Sequence, residues 1–206
     1  LGLNPFTSKI LANAVGAVCG MANVDVSLER GSKPLVAVTT VGITTLGAMT
    51  AIDVLQKAGY ETIVFHAIGP GGRAMEQMMR EGIIGAVLDY STIEVSNHMH
   101  GALLDGGTER LTWAGKLGIP QVLAPGALEV LVFNEPETVP ERFQDRTLIR
   151  HSPMITDVRL NSEEMAEVAM EVSRRLQHTK DKAYFIIPTA GYDSYGVEGE
   201  GFHDPE

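Results

Sequence analysis

The stretch FHAIGPGGRAMEQMM, residues 65–79, sets Gly69, Gly71 and Ala74 in the pattern G-x-G-x-x-A, and Asp89 follows Gly69 by 20 residues. Between a strand and a helix, such glycines let backbone N–H groups approach a pyrophosphate. The helix dipole then faces the charge and the acidic residue reaches a ribose. Gly72 adds a donor and Arg73 a positive charge. Pro70 lacks an N–H, however, and glycine-rich corners between strands and helices are common, so a structural corner is the competing reading. Neighbouring loops offer compatible chemistry. TTVGITT (residues 39–45) brings the hydroxyls of Thr39, Thr40 and Thr44 around Gly42, able to cap a helix or to bind ligand oxygens. LDYSTIEVSNHMHG (residues 88–101) supplies Asp89 and Glu94 for acid/base work or for a divalent cation such as Mg²⁺, with Thr92 where a helix starts. Glu94 and His98 share a helix face but His100 does not, which leaves a two-histidine zinc site unsupported. His66 closes a strand and is a third acid/base candidate. Gly126 reads as another helix start with Glu129 one turn later, and His203 and Asp204 lie in a glycine-rich tail that can fold over a cleft. The sequence holds no G-x-x-x-x-G-K-[ST], G-x-S-x-G or paired C-x-x-C.

The elements around these loops repeat one grammar: a helical pattern, a glycine where the helix should stop, then a short apolar run. Gly59, Gly82 and Gly118 occupy the stops, where a left-handed cap favours a residue without Cβ. The runs 36–38, 63–65, 86–88, 122–124 and 185–187 are apolar throughout, as in strands covered on both faces. Helices are expected at 45–58, 72–81, 93–104, 109–117 and 162–177, with one more over 8–21 ahead of the first strand. The last has Met165, Val168, Ala169, Val172 and Leu176 on one stripe, and Glu163 and Glu164 in its first turn. The expected fold is a single α/β domain over 1–206: three-layer, Rossmann-like, with a mainly parallel five-stranded sheet. Ligands then bind beyond the carboxyl ends of the strands. The segment 134–160, with three prolines and the cluster Arg142, Arg146, Arg150 and His151, reads as an irregular functional excursion, and 189–206 as a tail.

Sixteen Lys and Arg against 26 Asp and Glu give a net charge of −10, which argues against nucleic acid and anionic lipid as partners. No apolar run approaches the roughly 20 residues of a membrane span. One cysteine, Cys19, in an Ala/Gly-rich segment, excludes an internal disulfide, reads as a buried thiol and suits a reducing cytoplasm.

LGLNPFTSKILANAVGAVCGM, VAVTTVGITT, FHAIGPGGRAMEQMMREG, QVLAPGALEVLVFNEPETVPERF and GFHDPE together resemble an uncharacterised protein family that includes the N-terminal inhibitory region of the tomato tobamovirus-resistance protein. The resemblance implies two Rossmann-like domains in tandem with ATP binding, and this chain as the second of them. By that analogy Gly69–Glu76 is the glycine-rich loop and Thr39–Thr45 the hydroxyl loop. The threonine- and aspartate-containing nucleotide segment of the family's first domain has no counterpart here.

The leading expectation is therefore binding of ATP or another phosphorylated small molecule, with Mg²⁺, in half of a cleft completed by the protein's own N-terminal domain. Thr39, Thr40, Gly42, Thr44, Gly69, Gly71, Gly72, Arg73, Asp89, Thr92 and Gly126 would line it, and Asp89 and Glu94 would hold a metal. Two alternatives stand beside it. One is an enzyme on a small phosphorylated or carboxylated substrate, using His66, Asp89 or Glu94 as acid/base. The other is a protein-interaction module using 134–160, on a partner such as a viral replication protein. Assembly into a homo-oligomer is compatible with each.

Overall fold

A computed structural model describes residues 2–24, 33–180 and 182–204, and the chain divides into two compact units, 1–31 and 32–206. In the first, α1 (Pro5–Ala22) starts where the Asn4 side chain accepts hydrogen bonds from the N–H groups of Phe6 and Thr7, with Pro5 in the first turn. Cys19 is exposed on this helix, not buried, because α1 buries none of its residues.

The second unit is built on a sheet in the order β2-β1-β3-β4-β8, with β1 (Val36–Thr40), β2 (Thr62–His66), β3 (Ala86–Ser91), β4 (Gln121–Gly126) and β8 (Ala183–Phe185). All four pairings are parallel. The five-stranded parallel α/β fold expected from the apolar runs is thus present. On one face α2 (Thr45–Lys57) brings Ala48, Ile52 and Leu55 against Val36, Val38 and Leu88. On the other, α3 (Pro70–Arg80) and α5 (Trp113–Leu117) bring Met75, Met79 and Ala114 against Ala37, Phe65 and Val87. Gly59, Gly82 and Gly118 have φ of 81°, 70° and 66°, the left-handed geometry their positions demand.

Several boundaries differ from expectation. The helix beginning at residue 93, α4 (Ile93–His100), stops early because Gly101 takes φ 68° as a left-handed cap. The segment 109–117 is helical only from Trp113. The last strand lies two residues earlier than 185–187, leaving Ile187 exposed beyond it. No helix follows Gly126: Ala127 turns the chain at φ 56° into β5 (Val130–Phe133). The excursion is also ordered. It carries β6 (Leu148–Ser152) and β7 (Ile155–Arg159), which join β5 in an antiparallel sheet of order β5-β7-β6.

This second sheet matters for function, because β1 and β3 flank the point where the strand order reverses, the usual ligand crevice of such folds. Val130 and Val132 of β5, Ile149 and Ile155 of the hairpin, and Phe202 of the tail pack onto Val41, Ala67 and Ile93, which follow the carboxyl ends of β1, β2 and β3. The crevice is filled by the protein's own apolar side chains. The tail is held in place through Phe202, although its residues 205–206 lie outside the described residues. The clearest expected helix, α6 (Ser162–Arg175), has the Asn161 side chain accepting from the Glu164 N–H while Glu164 returns a bond to the Asn161 N–H, a reciprocal cap. Its Val168 and Val172 pack on Leu123, Leu131 and Leu160.

Candidate functional site

The candidates drawn from the strand-end loops do converge. Thr39 Oγ1 donates to Asp89 Oδ1 at 2.7 Å and accepts from the Ser91 N–H at 3.0 Å. Glu94 Oε1 accepts from the N–H groups of Gly69 (2.6 Å) and Gly72 (3.0 Å). What joins them is a residue that sequence reasoning missed: Arg110, completely buried. Its Nη1 and Nη2 donate to Asp89 Oδ2 and Oδ1 at 2.5 and 2.6 Å, and its Nε donates to Glu94 Oε2 at 2.7 Å. Glu76 stands 3.6 Å from the same guanidinium and accepts from the N–H groups of Leu111 and Trp113. Burial pushes its carboxyl up to about 7 against the pull of Arg110, while the surrounding carboxylates hold Arg110 charged.

The anion at the start of α3 is therefore Glu94. A helix N-terminus favours any negative group, and here the carboxylate comes from within the chain. This corner does not fit an external phosphate: the Gly69 and Gly72 donors are engaged, and a Cβ on Gly72 would stand 2.0 Å from Glu94 Oε2. Nor does it fit Mg²⁺, since Asp89 and Glu94 direct their oxygens at Arg110 and the backbone. Among the described residues, no group of three or more His, Cys, Asp or Glu is arranged to hold a metal ion. Gly71 serves packing as well, because a Cβ there would sit 1.9 Å from the His66 carbonyl oxygen. We expect Gly71→Val to cost roughly 1–3 kcal/mol in denaturant unfolding, and Arg73→Ala, at an exposed position, to cost less than about 0.5 kcal/mol. Equal stabilities for Gly71→Val and the parent would contradict this.

The remaining candidates have structural partners or lie apart. Thr44 Oγ1 accepts from the Val41 N–H and meets Thr40 Oγ1 at 3.0 Å. Gly42 is exposed. Thr92 Oγ1 donates to the Ala124 carbonyl. Gly126 allows β4 to approach β3, its would-be Cβ lying 2.3 Å from the Tyr90 carbonyl oxygen. His66 is exposed. Arg146 pairs with Glu164 at 2.9 Å, and Arg142 donates to the His100 carbonyl.

An open cavity of about 520 Å³ lies further along the same carboxyl edge, beyond β4 and β8, within the usual range for small-molecule sites. Glu129, in the turn from β4 to β5, forms part of its wall, as do Arg159 at the end of β7, Asn161 at the cap of α6, and Gly196, His203 and Asp204 of the tail. Glu129 is 1% exposed, yet its Oε2 has no hydrogen-bond partner, and neither has the buried Nε of Arg159. Burial, reinforced by Asp193, pushes the Glu129 carboxyl up to about 8. Asp193 is itself raised by burial, although its Oδ1 accepts from the N–H groups of Tyr195 and Gly196. Behind them, burial lifts Asp157 to about 6 against the pull of His151, and His151 Nδ1 lies 2.7 Å from the Tyr195 hydroxyl. Arg159 Nη1 pairs with Asp204 Oδ2 at 2.6 Å. Perturbed carboxyls, unmatched polar atoms and a cavity coincide here, as at functional sites. A second groove of about 780 Å³, between α6 and β8, is walled mainly by apolar residues such as Met165, Leu176 and Phe185 and lacks such groups.

Residues 33–206 match the family model described as the uncharacterised protein family (UPF0261) C-terminal domain, and the chain belongs to that family. It is 42% identical to a UPF0261 protein of Clostridium tetani over 100% of this chain and 51% of that protein. Identity is 36% to a UPF0261 protein of Brucella melitensis, over 100% and 49%. The ToMV resistance protein Tm-1(GCR237) of Solanum lycopersicum is 33% identical, over 100% of this chain and 28% of its own length. The chain thus spans about half the length of the bacterial relatives. Among the described residues, no helix is long and apolar enough to cross a membrane.

Proposed function

We propose that this member of the family binds a small phosphorylated or carboxylated molecule in the cavity beyond β4 and β8. The observation that carries this reading is that two residues lining it, Glu129 and Arg159, each keep a buried polar atom without a partner, Oε2 and Nε. A buried donor or acceptor without a partner costs roughly 1–3 kcal/mol, so a ligand that supplies the missing hydrogen bonds gains what the empty cavity lacks. Arg159 suits a carboxylate or phosphate oxygen. Glu129, neutral over most of the physiological range because its carboxyl is raised to about 8, donates a hydrogen bond and does not repel an anion. The reading includes a cytoplasmic setting, a cleft shared with a further domain of the protein, and ATP among the phosphorylated ligands to be tried.

Calorimetric titration of the whole protein with ATP, dihydroxyacetone phosphate and pyruvate tests it. Arg159→Ala should weaken binding about tenfold to a hundredfold, the loss of one charge-assisted hydrogen bond, and Arg73→Ala should leave it unchanged. The reverse pattern would return the site to the glycine corner.

A further inference from the structure

The buried carboxylates of this domain fall into two kinds. Asp89 and Glu94 are fixed by Arg110, and Glu76 by two backbone N–H groups. Glu129 and Asp193 each have one oxygen left over, and of these two residues it is Glu129 that lines the cavity. Its position is closely held. The Leu160 N–H donates to the Glu129 carbonyl at 2.8 Å, and a Cβ on Gly196 would come within 3.3 Å of Glu129 Oε1, so the tail closes directly against the carboxyl. Arg159 exerts its charge on Glu129 from the end of β7 and Asp193 from the tail. Asp193 and His151 act on Asp157, and Asp157 and Asp193 both act on Tyr195.

We propose that Glu129 transfers protons to and from carbon, the substrate being a small carboxylated or phosphorylated carbonyl compound whose carbonyl oxygen is held by Arg159 and whose adjacent C–H faces the Glu129 carboxyl. This rests on the binding reading above. In the step, the ionised form of Glu129, whose share grows as pH rises towards 8, takes the proton, the C–H electron pair moves into the carbonyl group, and the resulting enolate oxygen is stabilised by the Arg159 guanidinium. Glu129, now a neutral acid, returns a proton to the same carbon, or, where that carbon bears a hydroxyl, to the former carbonyl carbon while the hydroxyl proton passes to the enolate oxygen and a new carbonyl forms at the first carbon. Substrate and product then have the same formula, and no co-reactant is consumed. A carboxyl raised by burial and by Asp193 is a stronger base than an ordinary carboxylate, and its working range lies close to neutrality. Arg159 lies where charge develops on the substrate oxygen, the place where fixed donors accelerate enolisation.

The test is exchange of substrate C–H for deuterium in D₂O, followed by proton NMR with pyruvate, 2-oxobutyrate and dihydroxyacetone phosphate, alongside calorimetric binding of the same probes. With the whole protein, at least one probe should exchange ~10²-fold or more above background, faster as pH rises and levelling above about 8. Glu129→Gln should abolish exchange while leaving binding in place, and Glu129→Asp should retain part of it. A probe that binds without exchanging, or a Glu129→Gln variant that exchanges as fast as the parent, overturns the proposal alone. Failure of every probe to bind overturns the binding reading and takes this proposal with it. A ¹³C-carboxyl titration needs no ligand. The signal lost in Glu129→Gln should have its midpoint near 8, and a midpoint near the ordinary value of about 4.3 overturns the proposal.

Discussion

Arg110→Ala is expected to lower stability by roughly 3–5 kcal/mol, the range for removing one partner of a buried ion network. Against the usual 5–15 kcal/mol of a folded domain, that is enough to leave the variant marginal or unfolded. The reason is not the strength of the ion pairs. Asp89 is 2% exposed and Glu94 is 0% exposed, and without the guanidinium their charges would be buried together with no cation between them. Arg110→Lys should recover little, because a single ammonium cannot hold both Asp89 oxygens and Glu94 in the geometry of the guanidinium fork. Arg110→Met combined with Asp89→Asn and Glu94→Gln should recover much of the loss, since the buried charges leave together. Denaturant unfolding of the four proteins checks this. A loss below about 1 kcal/mol for Arg110→Ala would show that the network does not hold the corner.

The second large effect is on the pH dependence of stability. Glu129 is raised from 4.5 to about 8, Glu76 from 4.5 to about 7 and Asp157 from 3.8 to about 6. Each binds its proton more tightly in the folded chain than in the unfolded one. Their contribution is therefore fully present below pH 4 and is lost as pH rises towards 8. At roughly 1.4 kcal/mol for each tenfold change in ionisation constant, Glu129 alone contributes on the order of a few kcal/mol. The expected result is a melting temperature that falls between pH 5 and pH 8. Glu129→Gln, which cannot ionise, should flatten that fall and be relatively more stable at pH 8 than at pH 5. Glu171, held down to about 2 mainly by its hydrogen bond from Arg174, titrates below this window and does not mask it. A melting temperature independent of pH, or the same slope in Glu129→Gln, would contradict the account.

The contrast between the two corners explains what the sequence could reveal. The left-handed glycines at 59, 82 and 118 and the apolar runs of the parallel sheet carry local signals, namely backbone sterics and two-faced burial, and these are readable along the chain. Thr39, Gly69, Gly72, Asp89 and Glu94 were also readable as one constellation, because each follows an apolar run or lies at the start of the helix after it. Their purpose was not. A glycine corner at a helix start attracts an anion whether it arrives as phosphate or as the chain's own Glu94, and spacing cannot distinguish the two. Arg110 carried no signal: a lone arginine in ERLTWAGKLG looks like a surface residue, and its partners come from three other segments. Glu129 was visible as an acid near a strand end, but Arg159, Asp193 and Gly196 reach it only through the β5-β7-β6 sheet and the folded tail. Those elements lie in stretches whose prolines and mixed charge hid their strands.

The central claim is that a small-molecule ligand sits beyond β4 and β8 while Glu94 fills the glycine corner. Amide chemical-shift mapping of the whole protein titrated with dihydroxyacetone phosphate and pyruvate tests it most directly. The account predicts that Glu129, Arg159, Asn161 and Gly196 shift together while the amides of Gly69 and Gly72, already bonded to Glu94, stay in place. Shifts at Gly69, Gly71 and Gly72 with an unmoved Glu129 cavity would contradict it.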